Sequence, residues 1–363
     1  MSTTSLISSL FRAEIQSMSA YKVADARGFI KLDAMENPYH WPPELTEHWL
    51  TSLRSCALNR YPDPEATRLI ETLRGHDEIP ESVAMLLGNG SDELIQLLLM
   101  ALTPTQAVLA PAPSFVMYKQ ISQSLNLAYF APSLRAEDFS LDIAHTLHLI
   151  QSHQPAIIFI AYPNNPTGNL FKAEDMHTII NASTGLVVID EAYAPFANAS
   201  FLPELQRYKN VLIMRTLSKL GLAGLRLGYL MGHTDIISQL NKIRLPYNIN
   251  VLTQVTAEFA LSHKHVFTEQ TQLICQHRQW VFEQLQAHSE LTVFPSAANF
   301  ILFKTAAQQA DRIHAHLKKQ GVLIKNMHSQ GGLMQDCLRV TIGTEAENKA
   351  FISALTTALT TIN

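Results

Sequence analysis

The sequence predicts an α/β fold in which a large domain with a mostly parallel sheet precedes a smaller α+β domain. Through roughly the first 250 residues, short apolar runs alternate with longer helical patterns, which is typical of parallel sheets. Beyond that point, one long helical stretch is followed by closely spaced short strands. The length of 363 residues accommodates two domains of ordinary size.

The predicted strands of the large domain are short and apolar. The first precedes a glycine-rich turn and a helical run over residues 93–102, and Pro111 and Pro163 end two of the others. Strands of this kind, separated by helices, favour a mostly parallel sheet. They cover residues 83–87, 107–110, 157–162, 186–190 and 211–216.

The second part of the chain has a different order of elements. Residues 266–288 are predicted to form one long helix, and a later helix over residues 310–320 ends at Gly321, a normal C-terminal stop. A capping box of Thr344 and Glu347 begins the last helix. The strands between these helices cover residues 293–294, 299–303, 322–325 and 338–342.

The composition excludes several classes of protein. A formal net charge of -4 provides no basic surface for nucleic acid or an anionic membrane. No apolar run approaches the roughly 18 residues of a membrane-spanning helix, and residues 1–10 have no signal-peptide pattern. The three cysteines are far apart, and the closely spaced histidines lack a third ligand pattern. We therefore expect a cytoplasmic protein without a disulfide framework or a bound metal.

A glycine-rich turn, Gly-Asn-Gly-Ser-Asp over residues 88–92, lies between a predicted strand and a predicted helix. Glycine allows the backbone to approach a ligand closely, and the free N–H groups at a helix start favour a phosphate. An ordinary tight turn in which Ser91 or Asp92 caps the helix is the alternative. The spacing matches neither the dinucleotide-binding nor the Walker pattern.

Two further polar segments follow strands that should end at the same edge of the sheet. Residues 162–168, Tyr-Pro-Asn-Asn-Pro-Thr-Gly, follow one strand, and Asp190 ends the next. Ligands bind at that edge in open α/β sheets. An ordinary proline turn is the alternative for the first segment. Asp190 could instead cap a helix or bind Mg²⁺, although no second acidic pair completes a metal site.

Lys219 follows the strand over residues 211–216 and stands among small and apolar residues. A lysine in such surroundings can have a lowered pKa and act as a nucleophile, whereas a solvated lysine is the commoner case. Arg226, seven residues further on, could bind a phosphate with two hydrogen bonds. The successive strand ends thus carry two polar loops, a carboxylate, a lysine and an arginine. Together these groups supply what a phosphorylated pyridinium aldehyde requires of its binding site.

Several stretches match a known pattern as a set, namely residues 59–62, 90–93, 164–168, 190–193, 216–219, 222–228 and 337–343. Through them the chain resembles the fold-type I aminotransferases that use pyridoxal 5′-phosphate (PLP), and among them the histidinol-phosphate aminotransferase family. The resemblance implies a mostly parallel seven-stranded sheet. It also implies an N-terminal arm with part of the small domain over residues 1–40, a large PLP-binding domain over 41–264 and a small C-terminal domain over 265–363.

The resemblance implies a role for each matching residue of the cofactor site. Lys219 resembles the lysine that forms a Schiff base with PLP, and Asp190 resembles the partner of the pyridinium nitrogen. Asn165 and Tyr193 resemble the donors to the 3′ oxygen of the ring, and Phe115 stands where an aromatic residue, commonly Tyr, stacks on the ring. Lys219, Asp190 and Tyr193 are the implied catalytic residues. The residues that resemble the cofactor phosphate site are Ser91, Asp92, Ser218 and Arg226.

The resemblance also implies a homodimer and a phosphorylated substrate. Tyr61 resembles a tyrosine that reaches the cofactor phosphate of the neighbouring subunit. Arg339 resembles the arginine that binds the carboxylate of glutamate. Tyr21 and Lys325 stand where the family contacts its phosphorylated substrate.

Besides Phe115, two features depart from the pattern of the family. Met35 stands where Asn is more common, so one polar contact is absent from the expected set. Arg226 follows Lys219 at a spacing one residue shorter than in some relatives, and Gly221 could let the intervening loop tighten.

The implied reaction is amino transfer between L-histidinol phosphate and 2-oxoglutarate in histidine biosynthesis, with Lys219 moving the proton. A PLP decarboxylase of a phosphorylated amino acid and an aromatic aminotransferase of wide specificity share nearly every motif and remain alternatives. A non-catalytic PLP-binding regulator is a further alternative, but we expect the residues before Tyr21 to be too few for an attached DNA-binding domain.

Overall fold

The computed structural model describes residues 3–20 and 23–362. Its strands are two to six residues long. In chain order they are β1 (Ile30–Leu32), β2 (Ala84–Asn89), β3 (Ala107–Leu109), β4 (Ala128–Phe130), β5 (Ile157–Ala161), β6 (Leu186–Asp190), β7 (Val211–Thr216), β8 (Leu227–Gly232), β9 (Thr292–Val293), β10 (Phe300–Lys304), β11 (Val322–Asn326) and β12 (Cys337–Thr341).

Helices connect most of these strands. In chain order they are α1 (Thr3–Leu10), α2 (Ala13–Ser17), α3 (Pro43–Leu53), α4 (Thr67–His76), α5 (Gly90–Met100), α6 (Val116–Ser124), α7 (Ile143–His153), α8 (Ala173–Ala182), α9 (Thr234–Asn241), α10 (Val251–Ser262), α11 (Lys264–Gln286), α12 (Ala310–Lys319) and α13 (Glu345–Ile362). The long helix predicted over residues 266–288 is α11, which begins and ends two residues earlier. No helix within the two described ranges is long and apolar enough to cross a membrane.

Seven strands form the sheet of the large domain, in the order β2-β8-β7-β6-β5-β3-β4. β8 runs antiparallel to both of its neighbours, β2 and β7, and the remaining neighbouring pairs are parallel. The predicted α/β class with a mostly parallel sheet is therefore confirmed.

The strand predictions differ from the structure in detail. β6 and β7 have the predicted bounds, whereas β2 covers residues 84–89 rather than 83–87 because its pairing with β8 continues through Gly88 and Asn89. The sequence analysis did not predict β1, β4 and β8 as strands. Gly228 and Gly232 make β8 a poor strand by propensity, yet every residue of it is buried between two paired neighbours.

Helices cover both faces of the large sheet, so its central strands are apolar on both sides. Ile158 and Ile160 of β5 pack in a core with side chains of α4, α8 and α10, whereas Ile157 and Phe159 pack in a second core with α5, α6 and α9. All four of these side chains are fully buried. Burial of each such side chain stabilises the fold by roughly 1.5–3 kcal/mol. The central strands, and with them their ends, are therefore held in place by both cores.

The remaining strands form a five-stranded sheet in the order β1-β11-β12-β10-β9. β1 pairs parallel with β11, and the other neighbouring pairs are antiparallel. The N-terminal strand therefore joins a sheet whose other strands come from the last quarter of the chain. The boundaries predicted for the domains, after residues 40 and 264, remain predictions.

The capping box predicted at the start of α13 is present. The backbone N–H of Thr344 donates to the Glu347 carboxylate at 2.8 Å, and the N–H of Glu347 donates to Thr344 Oγ1 at 3.4 Å. Two of the N–H groups that a helix start leaves without partners are thereby satisfied.

Candidate active site

Several strands end side by side at one edge of the large sheet. Ala161 of β5 pairs with Asp190 of β6, and Asp190 pairs with Met214 of β7. β8 runs in the opposite direction, so Gly228 at its start pairs with Thr216 at the end of β7. The loops that follow β5, β6 and β7 therefore meet at this edge, as expected for a ligand site in an open α/β sheet.

A cavity of about 110 Å³ lies at this edge. All of the predicted cofactor-binding residues except Tyr61 line it. Ala161, Ala192 and Thr216, to which the sequence analysis gave no role, also line it, together with Met35. The lining residues are Met35, Ser91, Asp92, Phe115, Ala161, Asn165, Asp190, Ala192, Tyr193, Thr216, Ser218, Lys219 and Arg226.

Lys219 enters this cavity from a π-helical turn over residues 218–222. Gly221 in this turn has φ 124°, which strongly favours glycine and marks a kink between Lys219 and Arg226. The Lys219 amine donates to the carbonyl oxygen of Ala34 at 3.3 Å. Burial, together with the positive charge of Arg339, lowers the pKa of Lys219 to about 8. An amine with this pKa is partly unprotonated near neutral pH, as a nucleophile requires.

Asp190 is buried at the end of β6, with both carboxylate oxygens bonded. Oδ2 accepts from the Tyr118 hydroxyl at 2.6 Å, and Oδ1 accepts from the backbone N–H of Ala192 at 3.1 Å. Burial raises the pKa of Asp190 to about 6, while both hydrogen bonds oppose this rise. The carboxylate therefore predominates at neutral pH despite burial. The sequence analysis gave no role to Tyr118.

Arg339 connects the two sheets at this site. It lies in β12 and donates to Asn165 Oδ1, which belongs to the loop after β5, and to the carbonyl oxygen of Asp33 at 3.1 Å. Asn165 Nδ2 in turn donates to the Tyr193 hydroxyl at 3.0 Å. Burial raises the pKa of Tyr193, so its phenol keeps a proton at neutral pH. The chain Arg339–Asn165–Tyr193 is thus a fixed set of hydrogen bonds along one wall.

The start of α5 also lines the cavity, through Ser91 and Asp92. Gly90 has φ 78°, which favours glycine, and a Cβ atom there would lie 2.6 Å from Arg226 Nη2, so the guanidinium would have to move. Arg226 Nη2 lies 3.4 Å from Asp92 Oδ2, and Ser218 Oγ accepts from Thr216 Oγ1 at 2.9 Å. The first turn of α5 directs N–H groups without intrahelical acceptors to the same place.

Tyr61 and Lys325 do not line the cavity. Tyr61 is 80% exposed and stacks on Tyr247 with ring centroids 4.4 Å apart. Lys325 lies directly opposite Arg339 in the pairing of β11 with β12, which places both side chains on one face of that sheet. Tyr21 falls outside the described residues.

A larger cleft of about 700 Å³ is lined by Glu191, Arg215 and residues of α11. Arg215 forms ion pairs there with Glu191 at 2.7 Å and with Asp77 at 2.9 Å. These charges are satisfied by each other, and the cleft contains none of the motif residues Lys219, Asp190 and Arg226. The smaller cavity is therefore the candidate active site.

The residues around the smaller cavity fit pyridoxal 5′-phosphate. They supply a buried amine in Lys219 and a buried carboxylate in Asp190 for a cationic ring nitrogen. They also supply an anion site in which Arg226 meets the glycine start of α5. Asp92 Oδ1, a buried atom beside Arg226, accepts no hydrogen bond from the residues described. The donor set matches an aldehyde, a pyridinium ring and a phosphate group in one small molecule.

Comparison with known proteins agrees with this chemistry. The aminotransferase class I and II family matches residues 27–355. A Nitrosococcus oceani protein named histidinol-phosphate aminotransferase 2 is 56% identical over 354 residues, which are 97% of this chain and 98% of that protein.

Solved structures share the fold at lower identity. The histidinol-phosphate aminotransferase of Sinorhizobium meliloti in complex with pyridoxal 5′-phosphate has a TM-score of 0.86 at 22% identity, covering 98% of this chain and 99% of that one. The L-threonine-O-3-phosphate decarboxylase of Porphyromonas gingivalis has a TM-score of 0.77 at 23% identity, covering 91% and 99%. The fold by itself therefore does not separate amino transfer from decarboxylation.

The chain belongs to the aminotransferase class I and II family. It is an enzyme whose cofactor is pyridoxal 5′-phosphate and whose reaction is amino transfer, so the predicted cofactor and enzyme class are confirmed.

Proposed function

We propose that this enzyme transfers an amino group between L-histidinol phosphate and 2-oxoglutarate, in histidine biosynthesis and in the cytoplasm. The observation that carries the proposal is the buried Lys219 amine in one cavity with Asp190, Asn165 and Arg226. The substrate follows from the name of the Nitrosococcus oceani relative, with which this chain shares nearly its whole length. An aromatic aminotransferase and a decarboxylase of a phosphorylated amino acid are the alternatives that the experiments below distinguish.

We assign Lys219 and Asp190 different roles in handling protons. When bound, PLP withdraws electrons from the bonds of the substrate Cα through its pyridinium ring. Lys219 would take the proton from Cα and return it at the cofactor carbon, since a pKa of about 8 lets its amine act in both directions near neutral pH. Asp190 would hold the proton on the ring nitrogen, because a carboxylate in a buried site stabilises the adjacent cation.

The cofactor phosphate would lie at the start of α5. Arg226 and Ser218 supply side-chain donors, and the first-turn N–H groups of Ser91 and Asp92 supply backbone donors. The Asp92 carboxylate would repel a phosphate, so we assign Asp92 a backbone contact and the orientation of Arg226, 3.4 Å away. Phe115 would stack on the ring as an apolar face.

The substrate groups would be bound from the second sheet. Arg339 is held by Asn165 and the Asp33 carbonyl, and its guanidinium would take the carboxylate of glutamate. Lys325 lies opposite Arg339 on the same face, so it would reach the phosphate of histidinol phosphate beside that carboxylate site. Tyr21, outside the described residues, is proposed as a further contact to this phosphate.

A half-reaction screen tests the choice of substrate. The PLP form is mixed separately with histidinol phosphate, phenylalanine, tyrosine and phosphothreonine, and conversion to the pyridoxamine form is followed by absorbance. We expect the fastest conversion with histidinol phosphate. Equal conversion by phenylalanine would establish the aromatic aminotransferase instead, and release of CO₂ from phosphothreonine would establish the decarboxylase.

Lys325→Ala tests the phosphate contact. A charge-assisted contact contributes roughly 1.5–3 kcal/mol, so kcat/KM for histidinol phosphate should fall by roughly 10- to 150-fold. The value for glutamate should barely change, because glutamate carries no phosphate. Lys304→Ala is the matched control, since Lys304 is an exposed strand lysine in the same sheet. Equal losses for phosphorylated and unphosphorylated amines in Lys325→Ala would show that Lys325 does not recognise phosphate.

A further inference from the structure

Tyr118 occupies a fixed position between the wall of the active site and the core of the large domain. It lies in the first turn of α6 and is fully buried. Its ring stacks on Phe159 of β5, with centroids 4.7 Å apart and 6° between the planes. It also meets the edge of Phe115, the proposed ring-stacking residue, at 5.5 Å. The ring therefore has little freedom to turn away from β6.

The hydroxyl group of Tyr118 has one acceptor, and that acceptor belongs to the active site. It donates to Asp190 Oδ2 at 2.6 Å, while the backbone N–H of Ala192 holds Oδ1. Burial and the adjacent carboxylate raise the pKa of Tyr118 well above its ordinary value, so the phenol keeps its proton and donates it. Two donors from different elements thus fix the plane of the Asp190 carboxylate and leave lone pairs free for the ring nitrogen.

We propose that Tyr118 is a positioning residue that acts through Asp190, orienting its carboxylate toward the pyridinium nitrogen of the cofactor and keeping it ionised. The proposal rests on the role of Asp190 proposed above. Tyr118 does not line the cavity, so its effect on the reaction passes through Asp190. It also supports Phe115, and the experiment must therefore separate the hydroxyl group from the ring.

The surroundings of Asp190 determine how much the Tyr118 hydroxyl group affects the pKa of this carboxyl group. Burial raises the pKa of this carboxyl, and the negative charges of Asp92 and Glu191 raise it further. Tyr193 and the cations Lys219 and Arg226 line the same cavity. The donors that oppose the rise are the Tyr118 hydroxyl and the Ala192 N–H. Removing the hydroxyl should therefore raise the pKa of Asp190 toward or above neutral pH, where a protonated carboxyl cannot stabilise a pyridinium ion.

Tyr118→Phe removes the hydroxyl and keeps the ring, and its first test needs no cofactor. The pKa of Asp190 is measured by ¹³C NMR in cofactor-free protein labelled at aspartate carboxyl carbons, with Asp190→Asn used to assign the signal. The loss of a hydrogen bond to a charged group should raise this pKa by about one unit. Tyr129→Phe is the matched control, because Tyr129 of β4 packs against the same core and no hydrogen bond joins it to Asp190. An unchanged pKa of Asp190 in Tyr118→Phe, or an equal rise in Tyr129→Phe, would overturn the proposal.

A double-mutant cycle provides the second test. Tyr118→Phe should lower kcat by about tenfold with KM changed less than about threefold. In the Asp190→Asn background the same substitution should cost less than about twofold, because residues that act as a unit are not additive. Losses that multiply would show that Tyr118 acts independently of Asp190 and would overturn the inference. An Asp190→Asn variant that keeps kcat within about threefold of the wild type would instead refute the role of Asp190 itself.

Discussion

Burial shifts the pKa values of Lys219 and Asp190 toward neutral pH, downward for the lysine and upward for the carboxyl group. Both side chains are removed from water, which disfavours the charged form of each. The pKa of the lysine falls to about 8 and the pKa of the carboxyl rises to about 6. Between these values the carboxylate predominates and a useful fraction of the amine is unprotonated. One cause, burial beside a small cavity, therefore prepares both groups for their proposed roles.

The titration of Lys219 can be measured directly in cofactor-free protein. The rate of acylation by an amine-specific reagent should increase with pH through a midpoint of about 8, because only the unprotonated amine reacts. In urea the midpoint should return to the ordinary lysine value of about 10.4. Peptide mapping assigns the label to Lys219. A midpoint in the folded protein equal to that in urea would show that burial does not tune this lysine.

Most side chains of the candidate site could be predicted because each belongs to a short motif at a strand end. Tyr118 could not, since a tyrosine three residues after Phe115 has the spacing of an ordinary core residue of a helix. Its hydrogen bond to Asp190 joins residues 72 positions apart in the chain. Such a contact becomes visible only when the positions of α6 and β6 are known.

At the scale of elements, β8 is a strand that the sequence motifs did not predict. Residues 222–228 entered the sequence-based interpretation only as one of the stretches that match the family, and no strand was predicted there. The structure places β8 between β2 and β7, where Gly228 lies against the backbone of Gly90 and Ser91. The glycine that weakens the strand signal thus permits close packing of β8 on the proposed phosphate site.

Gly228→Ala tests this packing. A Cβ atom at position 228 would lie 2.7 Å from the backbone of both Gly90 and Ser91, so the start of α5 must shift. We expect unfolding of the cofactor-free protein to require about 1–3 kcal/mol less free energy, and PLP affinity to fall. Gly224→Ala is the control, because a Cβ atom there meets nothing within 4 Å. Urea unfolding and PLP titration give the two readouts, and equal behaviour of the two variants would contradict the packing argument.

At the scale of the whole molecule, the active site depends on both sheets. Arg339 of the five-stranded sheet bonds Asn165 of the large domain, and Lys219 bonds the Ala34 carbonyl after β1. The sequence could predict the two kinds of domain, because the order of predicted strands and helices changes near residue 250. The resemblance implied that residues 1–40 contribute to the small domain, but the residues alone did not predict a strand there, because parallel pairing of β1 with β11 joins distant segments.

The proposed homodimer assigns a function to exposed apolar side chains. Tyr61 is 80% exposed, and Leu58 and Leu245 are 71% and 73% exposed. Exposed large apolar side chains are typical of a protein interface when they form a patch. We propose that Tyr61 crosses this interface to the cofactor phosphate of the other subunit.

Mixing inactive variants tests the shared site. Lys219→Ala and Tyr61→Ala chains, refolded together, should regain activity because each mixed dimer has one site with both residues intact. Lys219→Ala mixed with Asp190→Ala is the control and should stay inactive, since both residues belong to the same subunit's site. Light scattering that shows a fully active monomer would contradict the shared site.

The identity of the cofactor-bearing lysine is the central claim, and one measurement tests it most directly. Borohydride reduction of the enzyme with PLP bound makes the link between lysine and cofactor permanent, and peptide mapping then locates it. The label should be on Lys219 alone, and Lys219→Ala should fold normally, carry no label and show no turnover. A label on any other lysine, or turnover by Lys219→Ala, would contradict the account.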